Sequence, residues 1–60
     1  MNDVAIFIDK MKTVFSLIPD EEIDLYNEMY NGPTEIFIAW INKKYAEYSN
    51  IIDKLNEVSN

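Results

Sequence analysis

Residues Thr34–Val58 read TEIFIAWINKKYAEYSNIIDKLNEV, and the reading of this stretch decides the fold. Ile38, Ile41, Tyr45, Tyr48, Ile52 and Leu55 recur within it at spacings of three and four. That rhythm keeps one face of an α-helix apolar along its whole length. At 1.5 Å per residue the helix is expected to be roughly 38 Å long, which is long for so short a chain. Phe37, Ile51 and Val58 flank the stripe, while Ile36 and Trp40 lie well away from its centre. More than half of the circumference is therefore apolar, which calls for cover on more than one side.

Upstream of this helix the punctuation is clear. Asn2 or Asp3 can cap a first helix, in which Val4, Phe7, Ile8, Met11, Val14, Phe15 and Ile18 form an apolar stripe. It must end near Leu17, because Ile18 precedes Pro19 and is pushed toward extended backbone. A second helix is expected to start at Pro19 or Asp20, with acids crowding its first turn, where they complement the positive end of the helix dipole. Asn31-Gly32-Pro33 closes it, with Gly32 suited to a left-handed cap position. The expectation is an all-α chain, a single domain over residues 1–60, with helices at about 3–17, 20–31 and 34–58. The competing reading makes Val4–Ile8 and Ile36–Ile41 buried β-strands. Both runs continue without a turn into helical periodicity, and two isolated strands are barely stable.

A chain of 60 residues is near the lower limit for independent folding. It has no cysteine and no histidine, so disulfides are impossible and a zinc site is not expected. Oligomerisation is the remaining way to add stability. The first helix reaches only about 23 Å, so it leaves the C-terminal half of the third uncovered. A second copy is the economical cover for Tyr48, Ile51, Ile52, Leu55 and Val58, and a homodimeric bundle sharing its long third helices is expected. The tyrosine hydroxyls on that stripe favour a wider bundle over a tight two-stranded coiled coil.

The formal charge of −6 is unevenly placed. Asp20, Glu21, Glu22, Asp24, Glu28 and Glu35 fall in a stretch without a lysine, whereas the acids elsewhere are balanced by all five lysines. Arginine is absent. This pattern speaks against nucleic acid and anionic membrane as partners, since both reward clustered cations. No run approaches eighteen apolar residues and no targeting segment is visible, so a cytoplasmic location is expected. The many Ile, Asn, Lys and Tyr residues suggest an AT-rich genome, such as that of a low-GC bacterium or its phage.

Catalysis has little to draw on without His, Cys or Arg, and no cofactor motif is present. Asp20–Asp24 has oxygen ligands but lacks the glycine turn and distal glutamate of a calcium loop, so no metal is expected. Ser49-Asn50-Ile51-Ile52-Asp53-Lys54-Leu55 resembles the Ser-x-x-x-Asp signature of small helical-hairpin phosphatases that act on sporulation response regulators. The resemblance implies an alternative activity through Asp53. It covers seven residues, and Asn50-Ile51-Ile52 departs from the Gln-Glu-Leu of that family. The favoured expectation is a small acidic protein that binds and modulates or inhibits another protein without chemistry of its own, carried by a phage or mobile element and aimed at a host or defence protein. Its binding residues are expected in two places: the acidic helix (Glu22, Asp24, Glu28) and the Ile36/Trp40 patch. A structural subunit of a larger assembly is the further alternative.

Overall fold

The computed structural model of the chain describes residues 3–59, apart from the side chains of Val58 and Ser59. Three α-helices follow one another: α1 over Asp3–Leu17, α2 over Ile23–Asn31 and α3 over Thr34–Ser59. A single 3-10 turn, Asp20–Glu22, leads into α2. Val4–Ile8 and Ile36–Ile41 are helical, and no strand occurs among the described residues. Asp3 is the first residue of α1, and Asn2 lies outside the described residues.

The connections follow from the two prolines and the glycine. The Ile18 amide donates to Val14 O at 3.0 Å, and Pro19 then takes the chain out at φ −68°, ψ 156°. The acidic run does not open an α-helix directly, contrary to the expectation of a start at Pro19 or Asp20. The Glu22 amide donates to Pro19 O at 2.9 Å, a three-residue closure that winds the tighter turn before α2 takes over at Ile23. Gly32 also differs from expectation. It is extended, at φ −89° and ψ −162°, because Pro33 excludes helical backbone from the residue before it. What favours glycine there is space, since a Cβ would lie 3.3 Å from Glu28 O. Pro33 O then accepts from the amides of both Ile36 and Phe37 at 3.1 Å, setting the first turn of α3.

α3 packs against both other helices. Tyr30 and Tyr26 meet Phe37, Tyr26 meets Trp40, and Glu22 meets Lys44, so α2 runs antiparallel to α3. Phe7 meets Phe37 and Lys10 meets Asn42, so α1 runs in the same sense as α3. The result is an up-down-up bundle, closed between α1 and α2 by the Phe15 and Tyr26 rings at 5.0 Å. Val14, Ile18, Tyr26, Phe37 and Ile41 form the buried core. Their aromatic members meet edge to face, the arrangement that sets the positive ring edge against a negative ring face.

The apolar stripe of α3 is rotated from the one expected. Ile38 stays exposed, while Phe37 is buried and Trp40 and Lys44 are half-buried. α2 lies along the Phe37–Trp40–Lys44 side and draws the covered face toward it. Past Tyr48 the cover thins: Ile52 is half-buried, and Ile51 and Leu55 are 55% and 61% exposed. The radius of gyration is 12.6 Å, against roughly 10 Å for a compact chain of this length.

Candidate partner-binding surface

The acidic residues expected to bind a partner do not share one environment. Glu22 Oε1 lies 2.9 Å from the Lys44 ammonium, and both side chains are largely covered. This hydrogen bond is the main reason that the Lys44 pKa is raised above the ordinary lysine value. Asp24 and Glu28 are exposed, as are Asp20 and Glu21. Leu25, also exposed, sits among them on the outer side of α2. The accessible acidic face is therefore Asp20, Glu21, Asp24 and Glu28 around Leu25, and Glu22 serves the fold.

Trp40 and Ile36 also separate. The Trp40 indole packs on the Tyr26 ring at 5.8 Å, with Lys44 Nζ 5.9 Å from its centre, which makes it in part a core residue. Ile36 is 53% exposed and remains on the surface one turn away. Burial raises the Tyr26 pKa, with the neighbouring Tyr30 adding to it.

An open groove of about 510 Å³ lies where the start of α1, the end of α2 and the start of α3 meet. Phe7, Met11, Tyr30, Thr34, Phe37 and Ile38 line it. Phe37 is the floor, held edge-on between Phe7 at 6.2 Å and Tyr30 at 5.5 Å. Sequence reasoning did not anticipate this groove. Its lining comes from three helices, and the only signal was the surplus of large apolar residues toward the start of α1 and of α3.

At the other end of α3, Tyr48 packs against the core and Ile51, Ile52 and Leu55 continue outward. The Val58 side chain, expected in the same interface, lies outside the described residues. Asp53 is exposed and Ser49, one turn earlier, is half-buried. Both stand roughly 17–22 Å along α3 from the groove, on the rise of an α-helix. No group of three or more potential metal ligands gathers among the described residues, and no described helix is long and apolar enough to cross a membrane. No protein-family model matches the chain, and neither a curated protein nor a solved structure shows significant similarity to it.

Proposed function

We propose that this chain is a small acidic protein-binding module that modulates or inhibits another protein by occupying a basic surface on it, with no chemistry of its own. The observation that carries the reading is the exposed face of Asp20, Glu21, Asp24 and Glu28 around Leu25. Lys44, which reaches the turn before α2, is already paired with Glu22. A one-signed exposed surface steers an oppositely charged partner and sets specificity, while a central apolar residue adds desolvated contact. An inhibitor carried by a phage or mobile element and acting in the cytoplasm suits such a surface.

The same proposal includes a homodimer built on Tyr48, Ile51, Ile52 and Leu55. A compact chain of 7.1 kDa exposes roughly 4,100 Å², and this one exposes 4730 Å². Two copies each hiding that surplus bury on the order of 1,200 Å², the lower end of stable interfaces.

The test is affinity capture from the source cell with the wild-type chain and with Asp24→Lys/Glu28→Lys, read by quantitative mass spectrometry. One protein with a basic surface should be enriched by the first bait and lost with the second. Equal recovery on both baits defeats the reading.

A further inference from the structure

We infer that the groove between α1, α2 and α3 is the seat of a basic amphipathic helix supplied by the partner protein. This rests on the acidic docking surface proposed above and adds the chemistry of what docks. The floor and walls are apolar: Phe7, Met11, Tyr30, Phe37 and Ile38, with Thr34 as the one polar member. Val4 and Ile8, both exposed, extend the apolar surface along α1. At about 510 Å³ and open on one side, the groove suits a ridge of several side chains better than an enclosed small molecule. Helix-in-groove recognition presents such a ridge at i, i+3 or i+4, and i+7.

Charge selects the occupant. Within about one helical turn of the lining residues stand the carboxylates of Asp3, Asp9, Glu28 and Glu35, against the two lysines Lys10 and Lys12. All four carboxylates are on exposed residues. The Lys10 ammonium lies 3.3 Å from Asn42 Oδ1 and over the Tyr45 ring at 5.5 Å. It belongs to the seam between α1 and α3. Lys12 is exposed beside Met11, so four carboxylates are set against one lysine outside that seam. An apolar trough bordered mainly by carboxylates favours a helix whose apolar face is flanked by Lys or Arg. It disfavours a fatty acid or anionic lipid, whose headgroup meets like charge. It equally disfavours a second copy, because the exposed ridge of α3 brings Asp53 and Glu57 against a single Lys54.

Three fluorescein-tagged synthetic peptides of about four helical turns test this by anisotropy. One carries Leu at the ridge positions and Lys elsewhere, one has Glu for every Lys, and one is oligolysine. The Leu/Lys peptide should bind saturably, at least about tenfold tighter than oligolysine. The Leu/Glu peptide should not bind. Tyr30→Ala/Ile38→Ser should weaken the Leu/Lys peptide at least about tenfold and leave oligolysine unchanged, with helical circular dichroism retained. Should that variant lose its helicity, Glu28→Lys/Glu35→Lys takes its place and should reverse the preference between the Lys and Glu peptides. Equal binding of the Leu/Lys peptide and oligolysine overturns the groove and leaves the acidic surface standing, whereas no binding of either overturns both. Binding of the Leu/Glu peptide, or a self-association lost with Ile38→Ser, gives the groove to another occupant and also overturns the inference.

Discussion

The ammonium of Lys44 is held 2.9 Å from Glu22 Oε1, joining the middle of α3 to the turn that opens α2. The same ammonium lies 5.9 Å from the centre of the Trp40 ring, so one cation serves a carboxylate and an aromatic face. The contact ties the turn before α2 to α3 on the side where Tyr26 meets Phe37 and Trp40. It also divides the acidic stretch into a structural carboxylate and an exposed set.

That division predicts unequal costs of neutralisation. Glu22→Gln should lower stability by up to about 1 kcal/mol, because it removes one partner of a largely covered pair whose geometry is already fixed. Asp24→Asn and Glu28→Gln, exposed on α2, should stay within about 0.5 kcal/mol of wild type. Urea unfolding of the three variants measures this. Equal effects would show that the Lys44 bridge contributes nothing beyond a surface charge.

The pH dependence should show the same contact at the alkaline end. The Lys44 pKa is raised from 10.5, mainly by the hydrogen bond its ammonium donates to Glu22, and the Tyr26 pKa is raised from 10.0, mainly by burial. In both cases the folded chain holds its proton more tightly than the unfolded chain. Stability from these groups is therefore fully present below about pH 10 and falls as pH rises through their folded values. Urea midpoints measured between about pH 8 and pH 11 should decline only toward the upper end. With Tyr26→Phe and Glu22→Gln combined, that decline should flatten. An unchanged slope in the double variant would assign it to other groups.

What was legible in the sequence follows from range. Pro19 and Pro33 act on the residue before them by local clash, so the ends of α1 and α2 could be placed to within a residue. The length of α3 was equally plain, since periodicity needs only its own residues. The rotation of its buried face was not, because Phe37 is covered and Ile38 exposed only once α2 has chosen its side. Helical spacing cannot express that choice. Lys44 and Glu22 are 22 residues apart, and their pairing leaves no trace in composition. The acidic stretch was visible as charge but not as geometry, since Glu22 pairs with Lys44 while Asp24 and Glu28 stay exposed. The groove escaped for the same reason, its six lining residues being contributed by three helices.

Association should depend on the outer half of α3. Ile51, 55% exposed, and Ile52, half-buried, lie beyond the part of α3 covered by the core. Sedimentation equilibrium should give a dimer at micromolar concentration, and Ile51→Asp a monomer with helical content retained. A buried unpaired carboxylate costs more than the roughly 1.5–3 kcal/mol gained by burying the isoleucine. Because Ile51 touches little of the core, its substitution separates dissociation from unfolding. A folded wild-type monomer under these conditions removes the dimer.

Trp40 and Ile36 should respond in opposite ways to truncation. Trp40 packs edge to face on Tyr26, itself only 8% exposed, and that stack joins α3 to α2. Trp40→Ala should therefore cost about 2–3 kcal/mol of stability, below the range for a fully buried tryptophan because the indole is half-buried. Ile36→Ala, at a 53% exposed site, should stay within about 0.5 kcal/mol. If Ile36 also contacts the partner, its substitution should weaken binding in a chain that melts normally, whereas Trp40→Ala should weaken binding only in step with lost helicity. Thermal melts by circular dichroism beside binding curves separate the two outcomes. A Trp40→Ala chain that melts like wild type yet binds at least about tenfold more weakly would return the indole to the binding surface and leave Tyr26 to hold α2 without it.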